Sequence, residues 1–194
     1  LNVDLSRLTA DGQRLASMAL SVWEEVLGIT FNRNPGAGVS TQITFDDREA
    51  GAYSTSQVFG ETIISSFVNV GTEWLTAYGT GFNTYSYQTY IHEIGHALGL
   101  GHAGNYNGTG TYGVDNDYAN DSWQASVMSY FSQDDNTSFD ASYAFVLSAM
   151  SADIAAMQEL YGMESIRSGN NTYGEQSNAG ASYSTIARML RDPS

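Results

Sequence analysis

The 194 residues suffice for one domain with a core, and 42% hydrophobic with 12% aromatic content excludes a disordered chain. A net charge of −14, with arginine as the only basic residue besides histidine, argues against nucleic acid and anionic membranes and favours solubility and divalent cations. No apolar run is long enough to cross a bilayer, and without cysteine no disulfide can form, which leaves bound ions as a common source of robustness.

No leader-like stretch opens the chain, and the abrupt start at Leu1 leaves room for a leader or pro-segment already removed. Leu15, Met18, Ala19, Val22 and Val26 recur at helical spacing, with Asp11 as N-cap and Gly28 as stop. Ile29 to Phe31 can open a strand, and Val39, Thr41, Ile43 and Phe45 alternate as one half-buried strand would. A short edge strand is read at Ala52 to Thr55 and a further strand across Thr62 to Val70. A second helix is predicted over Tyr85 to Leu98, ended by Gly99. Gly101 to Asn120 is rich in Gly, Asn, Asp and Tyr and reads as a long loop, a feature usually functional or disordered. Met150, Ile154, Met157 and Tyr161 fit a third helix, capped by Ser151 or Asp153 and stopped at Gly162. Composition turns polar after about Glu164, so residues 1–164 form the main domain and 165–194 an appended segment. No internal repeat is present.

All three histidines lie between His92 and His102, in His92-Glu93-Ile94-Gly95-His96-Ala97-Leu98-Gly99-Leu100-Gly101-His102. His92 and His96, four apart on a helix, share one face and can meet one zinc ion. Glu93 borders that face and can reach a water on the metal without being a ligand. Gly99 can adopt a left-handed conformation, ending the helix and swinging His102 back as third ligand. Three nitrogens leave a fourth position open, the mark of a catalytic zinc. Glu93 is then the general base and later the proton donor to the leaving amine. The plain alternative, a satisfied helix histidine, fits one histidine better than three in this spacing.

This extended motif resembles that of the metzincin peptidases. Ser126-Val127-Met128-Ser129-Tyr130 looks like the family's methionine turn, which implies Met128 as an apolar floor under the histidines. The resemblance also implies that Tyr130 approaches the zinc, as a ligand at rest and as a donor to the oxyanion in the transition state. Ala103-Gly104-Asn105-Tyr106-Asn107, the run Asp153 to Gly162, and Thr172-Tyr173-Gly174 point to the serralysin branch. The absence of cysteine fits it better than the astacin branch. Ala103 stands where serralysins have proline, and the calcium-binding β-roll repeat does not occur. The implied fold is an α/β (α+β) zincin-like domain. It has a twisted mixed sheet of about five strands, three main helices, and a cleft between upper and lower subdomains.

The resemblance further implies a calcium site at Arg167, Gly169 and Asn171, and a substrate-pairing edge strand at Ala52, Tyr53 and Ser54. Asp115, Asp117, Asp121, Asp134 and Asp135 read as solvated loop charge before calcium ligands. The expected protein is a secreted, monomeric zinc endopeptidase acting on proteins or peptides, with a proteinaceous inhibitor as a further partner and no nucleic acid or membrane. A zinc-holding module without turnover, and a metal hydrolase of non-peptide bonds, are the rival functions.

Overall fold

The computed structural model describes residues 1–162, 169–172 and 176–178. Val3 and Leu5 alternate with polar neighbours and are buried in β1 (Val3–Arg7), a strand absent from the sequence reading. Helix α1 (Ala10–Leu27) follows at once. Its N-cap is Thr9, whose hydroxyl accepts from the Gly12 N–H; Asp11 sits inside the first turn and pairs with Arg14 instead. Gly28 ends the helix in the left-handed region, as the sequence implied.

Ile29 to Phe31 forms no strand; next to it, Asn2 and Asn32 make a single bridge. The alternation from Val39 produces strand only over β2 (Ile43–Asp46), because Val39 lies in a turn closed by its N–H to the Gly36 carbonyl. The edge strand β3 (Ala52–Phe59) is longer than read, and β4 spans Thr62–Val70. Among the described residues they make a four-stranded sheet in the order β1-β2-β4-β3, close to the five or so strands expected. β1, β2 and β4 run parallel and β3 antiparallel to β4, so the sheet is mixed as anticipated.

A short helix α2 (Thr72–Tyr78) was not legible in advance; α3 (Tyr85–Ala97) and α4 (Ser151–Tyr161) were. Thr84 caps α3 through the Tyr87 N–H, and the Asp153 carboxylate accepts from the Met150 N–H at the start of α4. Helix α1 lies against α3, α3 against β3 and β4, and α4 against α1. Leu15, Leu20, Trp23, Ile91, Ile94 and Met157 are fully buried between them. Each large apolar side chain removed from water there contributes about 1.5–3 kcal/mol. The Trp23 indole N–H donates to the Ile91 carbonyl at 3.0 Å and ties α1 to the middle of α3. Between Leu98 and Met150 there is no helix or strand; that stretch packs on α3 through Val127, Met128 and Val146.

Candidate metal centre

Helix α3 carries His92, Glu93 and His96, and its end delivers the third histidine. The Leu100 N–H donates to the Gly95 carbonyl and the Gly99 N–H to the His96 carbonyl, both at 3.0 Å. This pair of bonds is a Schellman closure, which requires the left-handed residue supplied by Gly99 at φ 109°. The chain therefore reverses within two residues, and His102 comes back to the face of α3.

Each imidazole is held by a backbone carbonyl. His92 Nδ1 lies 2.8 Å from the Val127 oxygen, His96 Nδ1 2.8 Å from the Leu100 oxygen, and His102 Nδ1 2.9 Å from the Tyr106 oxygen. A carbonyl only accepts, so every Nδ1 carries the proton and every Nε2 presents a lone pair. Those lone pairs converge: His96 Nε2 is 3.1 Å from His92 Nε2 and 3.1 Å from His102 Nε2. Three acceptors facing one another repel unless a cation sits among them. A tetrahedral zinc with bonds of 2.0–2.1 Å separates its nitrogens by about 3.3–3.4 Å, close to what is found. Burial pushes His92 down to about 3, with His96 adding to the effect, and burial lowers His96 and His102 as well. The imidazoles are thus kept neutral, the form that ligates. The donor set fits zinc, and among the described residues it is the one His/Asp/Glu cluster of this kind.

Glu93 is buried beside the triad, its Oε2 has no hydrogen-bond partner, and burial raises its carboxyl to about 8. Met128 packs against α3 at Gly95, next to His96: a Cβ on Gly95 would stand 2.7 Å from its sulfur and 3.2 Å from the Trp23 ring. Gly95 is therefore the point where α1, α3 and the methionine turn close on one another. The Tyr130 ring stands 4.4 Å from His102 and 6.1 Å from His92, centroid to centroid. Its hydroxyl accepts from the Gly108 N–H at 3.2 Å.

A cavity of about 580 Å³ opens beside these groups, walled by Ala52 of β3, Trp74, Tyr85, Thr89, His92 and Tyr130 among others. Ala52, Tyr53 and Ser54 lie on β3, the outermost strand of the sheet, with only Ala52 of the three reaching the cavity. Arg167 falls outside the described residues; Gly169 and Asn171 are joined by the Asn171 amide donating to the Gly169 carbonyl.

Sequence reasoning set Tyr106 in the run Ala103 to Asn107 without a role at the site, and it misread Asp121. Tyr106 holds His102 through its carbonyl and stacks on that ring at 5.5 Å. Its hydroxyl donates to Asp121, which is 3% exposed and so not solvated loop charge. The signal available was the run Ala103 to Asn107 itself, which sets Tyr106 four residues after the third histidine.

Comparison with known proteins agrees with this geometry. The matrixin peptidase family model matches residues 4–116, and the Peptidase M66 model matches residues 70–187. The chain is 32% identical over 192 residues to metallopeptidase AprA of Pseudomonas marginalis, covering 92% of this chain and 40% of the relative. It is 34% identical over 190 residues to serralysin of Proteus mirabilis, covering 88% of this chain and 38% of the relative. The chain thus spans about two fifths of the length of these curated relatives. Among solved structures, high choriolytic enzyme 1, a hatching enzyme zinc-protease from the medaka fish Oryzias latipes, shares the fold. The TM-score is 0.52 at 15% identity, over 84% of this chain and 90% of that one. Histidine triad, family models and relatives together place the chain in the metzincin peptidases, matrixin family, as a serralysin-like catalytic domain.

Proposed function

We propose that the protein is a zinc-dependent endopeptidase that cleaves extended protein or peptide substrates, with Glu93 as general base. The observation that carries this reading is the unpartnered, buried Glu93 Oε2 beside three converging Nε2 lone pairs at the edge of an open cleft. His92, His96 and His102 would hold the metal. When bound, zinc supplies Lewis acidity, bringing water within reach of ionisation near neutral pH and polarising the scissile carbonyl.

The remaining work belongs to the chain. Glu93, its carboxyl drawn back to the ionised form by a cation held beside it, would accept the proton of the attacking water at its free oxygen and return it to the departing amine. With a metal held by the three histidines, the Tyr130 hydroxyl would exchange the Gly108 amide for the site, as a further ligand at rest and as a donor to the oxyanion. Met128 keeps the floor apolar. The outer edge of β3 at Ala52, Tyr53 and Ser54 pairs with substrate backbone, which favours broad specificity. The same reading extends to export from the cell, a monomeric state, a proteinaceous inhibitor as partner, and a calcium ion at Gly169 and Asn171.

The test is cleavage of casein by purified protein, stopped by a chelator and restored by zinc, with Glu93→Gln as control. The reading expects the variant to retain zinc and lose cleavage. Zinc uptake with no cleavage by either protein would favour a binding module, and activity confined to small esters or amides would favour a non-peptide hydrolase.

A further inference from the structure

Asp153, at the start of α4, is 2% exposed and makes three hydrogen bonds that all converge on its carboxylate. Oδ1 accepts from the Ser126 hydroxyl at 2.6 Å; Oδ2 accepts from the Val127 N–H at 2.9 Å and the Met150 N–H at 2.8 Å. Every partner is a donor, so the ionised form is the satisfied one. The Ser126 oxygen in turn accepts from the Met128 N–H at 3.0 Å, which commits its own proton to Asp153. The Met128 nitrogen and the Val127 carbonyl belong to one peptide group, and that carbonyl holds His92 Nδ1 at 2.8 Å.

These bonds form a single directed chain. It runs from the His92 Nδ1–H to the Val127 carbonyl, through the peptide to the Met128 N–H, to the Ser126 hydroxyl and on to the Asp153 carboxylate. Each donor points towards the negative charge, so each bond polarises the next in the same sense. A carboxylate hydrogen-bonded to a ligating imidazole raises its basicity towards the metal. Here a hydroxyl and a peptide stand between the two.

We propose that Asp153 and Ser126 are positioning residues for the metal centre, fixing the Val127–Met128 peptide and strengthening His92 as a ligand through it. The inference rests on the metal reading of the three imidazoles, and the experiment separates the two. Zinc affinity is measured by competition with a chelator on folded protein, well below the melting temperature, for wild type, Asp153→Asn, Ser126→Ala and the double variant. Asp46→Asn, at a buried carboxylate that bonds Arg48 and has no part in the chain of bonds, controls for lost stability. Outer partners of metal ligands typically contribute 10–100-fold in affinity, so Asp153→Asn should bind zinc that much more weakly while Asp46→Asn matches wild type. Ser126→Ala breaks the same chain yet leaves the Val127 and Met150 bonds to Asp153. It should weaken zinc as well, with the double variant less impaired than the product of the two losses. Ser126→Ala binding zinc within twofold of wild type would overturn the proposal, even if Asp153→Asn failed to fold. Wild type taking up no zinc would overturn the metal reading, and this proposal with it.

Discussion

The half of the molecule above the cleft and the half below it hold their histidines by different means. Above, His92, Glu93 and His96 ride on α3, whose backbone ladder and contacts with α1 set their positions. Below, from Gly99 to Ala149, there is no regular element, and side chains bond directly to backbone. Trp123 donates to the Ser129 carbonyl, Asn136 to the Ala119 carbonyl, and Gln133 to the Ala144 carbonyl. The upper half is over-determined, since losing one contact leaves the ladder in place. The lower half depends on small sets of side-chain bonds, such as those joining Ser132 to Asp135, each of which fixes one turn. A site assembled across the two gains a rigid reference on one side and adjustable reach on the other.

Removing the base on the rigid side should have the largest effect. Glu93→Gln should lower kcat/KM for a peptide substrate by roughly 10²–10⁴-fold with zinc content unchanged, read by peptidase kinetics alongside metal analysis. A fall in zinc content of the same proportion would show that Glu93 acts structurally. The next test strikes the junction of the halves. Gly95→Ala places a methyl group 2.7 Å from the Met128 sulfur and 3.2 Å from Trp23. Overpacking of this kind costs about 1–3 kcal/mol, against about 1 kcal/mol gained in helix propensity, so thermal unfolding should show a net loss. A stabilised variant would mean the floor is looser than the contacts indicate.

Gly99→Ala tests the hinge by which the helix hands over to the lower half. Its Cβ would meet only ordinary contacts at 3.6 Å, so the cost is conformational, from φ 109°. About 1–2 kcal/mol of stability should be lost, together with zinc affinity, because His96 and His102 both depend on that reversal. The smallest effect should lie in the upper half, at the end of β2. The Arg48 guanidinium hydrogen-bonds Asp46 and holds its carboxyl down at about 2, below its ordinary 3.8. A lowered native value stabilises the fold above about pH 4 and is lost as pH falls towards 2. Asp46→Asn should flatten that part of the acid unfolding curve and leave zinc binding alone.

Legibility followed the same division. The second helix, its stop at Gly99 and the strand Thr62 to Val70 were readable because period and cap are local properties of sequence. The His92–His96 spacing was readable for the same reason. β1 and α2 were missed because five and seven residues give periodicity too little length to register. The alternation at Val39 misled because Gly36 and Gly38 impose a turn there, with Gly38 at φ 78°. Asp121 and Asp153 look alike in sequence to other loop and helix acids. What distinguishes them is burial against Tyr106 and Ser126, a long-range property that no window of residues contains.

The central claim is that three imidazoles from both halves share one zinc ion with a position left for solvent. X-ray absorption of the zinc-loaded protein tests it most directly. The account predicts three imidazole nitrogens at about 2.0–2.1 Å with at least one further light atom that is not imidazole. A shell with two imidazoles or fewer, or one unchanged in His102→Ala, would contradict it.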